Sequence, residues 1–120
     1  MFHVSFSSVI VHLYYAYGTP MKTEKQLQNY LKTQASSRRI MFDKLESKSR
    51  RGFPDIMLAY YGEVYFVELK SPAKTGKLSP LQSQCLNDMR AHALNVDVID
   101  SKEGVDELIS EIMCAGAVAP

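Results

Sequence analysis

Apolar residues change their spacing several times along the chain, and each change marks an element. Leu27, Tyr30 and Leu31 recur at helical spacing behind Thr23, which can cap. Gln26 completes a capping box three residues on, so a helix is predicted from Thr23 to about Ala35-Ser36-Ser37. Arg38 to Glu46 carries enough β-prone apolar residues for a strand, and Ser47 to Gly52 reads as a basic loop. Two strand-like runs follow, Asp55 to Tyr60 and Glu63 to Lys70, joined through Tyr61-Gly62 as a hairpin.

Beyond the loop Ser71 to Leu78, Ser79 caps a second helix with Pro80 at its first position and Gln82 at its third. Its expected buried stripe is Leu81, Cys85, Leu86, Met89 and Ala93. Val96 to Ile99 is a short strand. Ser101 then opens a last helix whose Val105, Leu108, Ile109, Ile112 and Met113 face inward. The order is α-β-β-β-α-β-α. A helix joining two strands lets them run parallel while the hairpin runs antiparallel, so the expected fold class is α/β, a mixed β-sheet flanked by helices.

The first 20 residues stand apart. Phe2, Val4 and Phe6 alternate with polar residues before the apolar run Val9-Ile10-Val11, and no charged side chain occurs before Lys22. The segment lacks the positive start and small-residue cleavage site of a secretory signal, and its scattered His and Ser do not suit a membrane helix. It reads as an added strand or a leader, with Gly18-Thr19-Pro20 as the boundary and residues 21–120 as the main domain.

Length and composition narrow the class. A chain of 120 residues makes one domain, and 46% hydrophobic with 22% charged residues is an ordinary globular composition. Cys85 and Cys114, far apart, form neither a disulfide framework nor a zinc ribbon, and a reducing cytoplasm is the expected setting. The net charge is +1, but the charges segregate: 12 Lys or Arg against 6 Asp or Glu from Lys22 to Lys77, then 7 acids against Arg90 and Lys102 from Asp88 to Glu111. One part of the surface can attract a polyanion that the other repels.

The hairpin supplies the candidate chemistry. A two-residue loop at Tyr61-Gly62 makes Tyr60 face Glu63 and, further out, Asp55 face Glu68. Paired residues hold their Cβ atoms about 4.5 to 5.5 Å apart, and like charges so placed destabilise a sheet unless something compensates. A divalent cation would. Oxygen-only ligands point to Mg²⁺ or Mn²⁺. Lys70, two residues beyond Glu68, emerges on the same face, where an amine can handle a water and offset charge on a phosphate.

Glu24 lies about 20° around the helix from Leu31 and about 60° from Leu27, on the apolar side, so the metal is one candidate partner for it. A first-turn glutamate also favours the helix dipole without any metal. Gln82 likewise has two readings, as a member of the site and as the third residue of the Ser79 capping box. Tyr60, Tyr61 and Tyr65 read as sheet packing rather than stacking surfaces.

Taken singly, a Glu-x-Lys or a Pro-Asp is common. Their conjunction is not. Gly52-Phe53-Pro54-Asp55, then Glu68-Leu69-Lys70, then Gln82 after a Gly-Lys-Leu-Ser-Pro loop, resemble the VRR-NUC nucleases of the PD-(D/E)xK superfamily over about Met21 to Ile112. The resemblance implies a restriction-endonuclease-like fold in which Asp55, Glu68 and the Leu69 carbonyl bind Mg²⁺ or Mn²⁺. It further implies that Glu24 contributes through water, Lys70 is the catalytic lysine and Gln82 supports the site. Small stand-alone members, often encoded by phages, act as homodimeric Holliday junction resolvases. Residues 1–20 have no counterpart in that pattern.

Arg38, Arg39, Lys44, Lys48, Arg50 and Arg51 precede the site in sequence, and Lys74 and Lys77 follow it. Both flanks are therefore expected to grip DNA phosphates, with binding that weakens steeply in salt. A less selective nuclease on nicked, flapped or linear DNA, and a non-catalytic nucleic-acid-binding module, are the competing readings.

Overall fold

The computed structural model describes residues 20–46, 49–73 and 76–117. Its elements are α1 (Glu24–Ser37), β1 (Met41–Lys44), β2 (Ile56–Tyr60), β3 (Glu63–Leu69), α2 (Pro80–Ala91), β4 (Asn95–Ile99) and α3 (Lys102–Ala117). The expected N-terminal extension, Pro20 apart, lies outside the described residues.

Both predicted capping boxes form. The Thr23 hydroxyl accepts from the Gln26 N–H at 3.1 Å and the Gln26 side chain accepts from the Thr23 N–H at 3.1 Å. Ser79 and Gln82 repeat the arrangement. Helix α1 ends in a Schellman turn, with the Arg39 N–H donating to the Ser36 carbonyl at 3.2 Å and the Ile40 N–H to the Ala35 carbonyl at 2.9 Å. That turn takes Arg38 to Ile40, so the strand predicted from Arg38 begins only at Met41.

The four strands lie in the order β1-β2-β3-β4. β1, β2 and β3 form an antiparallel meander, whereas β3 and β4, linked through α2, are parallel. The two-residue turn sets the register: Tyr60 pairs with Glu63 and Ile56 with Val67.

Strand alternation divides the interior. Ile56, Leu58, Tyr65, Val67, Leu69 and Ile99 face α1 and α3, packing on Leu27, Leu31, Val105, Leu108 and Ile112. The other face carries Phe66, Val96 and Val98 against Cys85, Leu86 and Met89 of α2, with Phe53 added from the loop. The result is a sheet between helix layers, in which each fully buried Leu or Ile contributes roughly 1.5–3 kcal/mol. Across the first layer, the Tyr30 hydroxyl donates to Asp106 Oδ1 at 2.5 Å, tying α1 to α3.

Two members of the predicted α2 stripe are exposed. Leu81 sits in the first helical turn, whose backbone rather than side chain makes the contact below it. Ala93 lies beyond the helix end at φ 60°, in a second Schellman turn closed by its N–H to the Arg90 carbonyl.

Candidate active site

The open end of the hairpin gathers the chemistry. Asp55 stands one step beyond the Ile56–Val67 pair, so the register sets it opposite Glu68 on the face that carries α2. Its backbone is fixed by the Leu45 N–H, which donates to the Asp55 carbonyl at 2.6 Å, and Pro54 before it is buried. Glu68 is 3% exposed, the buried charged residue among core side chains.

Gln82 joins the groups. Its Nε2 donates to Glu68 Oε1 at 2.6 Å, while its Oε1 accepts from Lys70 Nζ at 3.1 Å and from the Ser79 N–H at 2.9 Å. The two readings of Gln82 are thus one: the capping box holds the same amide that bridges acid and amine. Lys70 Nζ lies 3.8 Å from Glu68 Oε1, so the amide spans the two charged ends rather than leaving them in tight contact. The Lys70 backbone is pinned by its N–H, which donates to the Ile99 carbonyl at 2.9 Å.

The loop around this cluster is shaped by Gly52, whose necessity residue spacing alone did not reveal. Gly52 has φ +83°, and a Cβ there would sit 2.5 Å from the Leu81 carbonyl oxygen and 3.0 Å from the Gln82 nitrogen. The loop leading to Asp55 therefore rests directly on the first turn of α2, which carries Gln82. Phe53 adds an edge-on contact to Phe66, ring centroids 5.3 Å apart.

Glu24 is exposed at the start of α1 rather than held on the buried stripe. A helical wheel says which side a residue is on, not whether another element reaches that turn. The start of α1 is nevertheless tethered to the end of β3, because the Ser71 hydroxyl donates to the Lys22 carbonyl at 3.0 Å. Among the described residues no three His, Cys, Asp or Glu side chains gather closely enough to hold a metal ion between them. The register brings together two carboxylates, Asp55 and Glu68, and the family resemblance implies the carbonyl of Leu69 beside them. Such oxygen donors suit a hard divalent cation whose other positions are filled by water.

The basic residues do not form one surface. Arg50 is ion-paired with Asp88 of α2, Arg51 is exposed beside Gly52, and Lys77 follows Gly76, whose position would put a Cβ 3.4 Å from Lys70 Cδ. These three flank the site. Lys44 pairs with Ile56 and so belongs to the opposite sheet face from Asp55. Arg38 and Arg39 precede Met41, which pairs with Ala59, and that puts them at the turn end of the hairpin. An antiparallel strand begins where its neighbour ends, so closeness in sequence to Asp55 became distance in space. Lys48 and Lys74 lie outside the described residues.

A mixed sheet between helices, with acid, acid and lysine at the end of its central hairpin, defines an α/β domain of the restriction-endonuclease-like class. No family model matches the chain, and no curated protein matches it. Among solved structures, one described as "VRR_NUC domain" superposes with a TM-score of 0.64 at 30% sequence identity, covering 73% of this chain and 96% of that chain. The chain belongs to the VRR-NUC family of nuclease domains. No helix among the described residues is long and apolar enough to cross a membrane.

Proposed function

We propose that the chain is a divalent-metal-dependent DNA endonuclease that acts as a homodimer on four-way junctions. Asp55, Glu68 and the Leu69 carbonyl would hold Mg²⁺ or Mn²⁺, with Glu24 reaching it through water. When bound, the ion supplies Lewis acidity toward the scissile phosphate. The chain's own residues do the positioning. Gln82 holds Glu68 and Lys70 by separate ends of one amide, which keeps the carboxylate aimed and the ammonium out of a closed ion pair. Lys70 is then available to orient the attacking water and to offset negative charge developing on the phosphate. Arg50, Arg51 and Lys77 flank that point and serve the backbone on either side.

The observation that carries this reading is a buried glutamate, opposite an aspartate in register, bridged through one glutamine to a lysine on its own face. The junction preference rests on a simpler argument. Resolving a four-way junction takes two symmetry-related cuts, one domain has one such site, and a C₂ pair presents two.

The test compares labelled four-way junction, flap and plain duplex with Mn²⁺, for the parent and for Asp55→Asn and Glu68→Gln. The parent is expected to cut the junction fastest in paired strands, and each variant to lose roughly 10³-fold in rate while still binding DNA. Equal rates on all three substrates would leave a nuclease without junction preference. A variant cutting as fast as the parent would remove the metal site from the reaction.

A further inference from the structure

Three non-glycine residues among those described have positive φ: Arg39 at 58°, Tyr61 at 46° and Ala93 at 60°. Ala93 closes a helix and presents only a methyl group. The other two, from different segments, line one pocket of about 300 Å³ at the turn end of the hairpin, together with Arg38, Met41 and Tyr60. Glycine or asparagine would suit both backbones better. Arg39 is the left-handed residue of the α1 Schellman turn, and Tyr61 leads a turn with Gly62, where Asn-Gly is favoured.

Neither side chain is needed by the core. Arg39 is exposed and Tyr61 is 69% exposed. Both surroundings are nonetheless braced. The Tyr61 ring stands edge-on to Tyr60 with centroids 4.6 Å apart, and Tyr60 packs so closely on α3 that a Cβ at Gly116 would fall 2.2 Å from its ring. Arg38 Nη1 donates to the Gln34 carbonyl at 3.1 Å and to Gln34 Oε1 at 2.8 Å, which sets its guanidinium at the same rim. The nearby acid Glu63 turns toward Asn95, 3.5 Å from its amide nitrogen.

We infer that this pocket binds an unpaired segment of DNA, with Arg38 and Arg39 on its phosphates and Tyr61 stacked on one base. Strained backbone under side chains that packing does not use points to a ligand, and two guanidiniums beside an exposed ring match a single strand. Met41 and Ala59 of the pocket lie on the same sheet face as Asp55 and Glu68. The five steps of β2 from Asp55 to Tyr60 span roughly 17 Å, about five stacked nucleotides. The inference rests on the nuclease reading above and deepens it: a four-way junction is paired throughout its arms, so the strand held here would be one opened at the crossover, running from the scissile bond to the turn of the hairpin.

The test is anisotropy of a labelled oligothymidylate and of a plain duplex, without divalent ion, using the full 120-residue chain. Arg39→Gly and Tyr61→Asn both suit their backbones, so both variants should melt at or above the parent temperature. Each should bind oligothymidylate about tenfold more weakly, the scale of one lost stacking or charged contact. Tyr61→Asn should leave duplex binding unchanged, since a duplex offers no unstacked base. Unchanged oligothymidylate affinity in both variants, an equal loss on duplex for Tyr61→Asn, or lower melting temperatures for both would overturn the inference. Cleavage is read separately. Loss of oligothymidylate binding in a chain that cuts no DNA would sink the nuclease reading and keep the pocket, and cutting without such loss would do the reverse.

Discussion

The two ends of the β2–β3 hairpin treat backbone strain in opposite ways. At the open end a positive φ falls on Gly52, where any Cβ would strike the first turn of α2. At the turn end positive φ falls on Gly62 but also on Arg39 and Tyr61, where glycine or asparagine would fit and the side chains reach solvent. The first arrangement serves the fold, letting the loop close on the helix that holds Gln82. The second does not serve the fold, and the single strand proposed above would give those side chains their use.

The sharpest way to break this contrast is at the open end. Lys70→Ala removes the amine that Gln82 holds beside Glu68, so the protein should keep its circular dichroism while single-turnover cleavage falls roughly 10²- to 10⁴-fold. An unfolded variant would make the lysine structural and erase the distinction.

Stability should then change sign between the ends. Gly52→Ala combines a left-handed backbone with a clash against a carbonyl, and about 2–3 kcal/mol of unfolding free energy should be lost in urea titrations. Arg39→Gly relieves strain and should gain about 1 kcal/mol. Two shifts of the same sign would show that strain is not what separates the ends.

The smallest effect concerns a second acid, one strand away. Glu68 has its Oε1 held by the Gln82 amide, whereas Asp97, paired with Val67 on the opposite face, has its carboxyl pushed above the ordinary range by burial, with Arg90 only partly opposing. The folded chain therefore prefers that acid neutral. Stability from this group is full below the unfolded carboxylate value of about 4 and is lost as pH rises through the raised folded one. Asp97→Asn should accordingly raise the melting temperature slightly near neutral pH, with the gain vanishing toward about pH 3. A gain of constant size across that range would assign the effect to something other than charge.

Much of the fold is legible in residue order because its signals are local. Thr23 with Gln26 and Ser79 with Gln82 start helices by hydrogen bonds within one turn, and a two-residue turn at Tyr61-Gly62 sets every later pair in the hairpin. Leu81 was misread because the stripe of a helix says nothing about where its first turn ends up. Glu24, which the wheel put on the apolar side, is exposed for the same reason. The basic run is divided in space because Arg38 leads into β1 and Asp55 into β2, neighbouring antiparallel strands that start at opposite ends.

By itself the sequence determined the elements, the pairing of Asp55 with Glu68 and the face on which Lys70 emerges. These follow from backbone periods and from a turn of known length, all acting over a few residues. Tertiary structure alone decided that a helix cap also bridges an acid and an amine, that Gly52 must lack a side chain, and that two arginines and a tyrosine share a pocket far from the acids. Those outcomes depend on how closely separate segments approach, a distance set by the packing of the whole sheet against its helices.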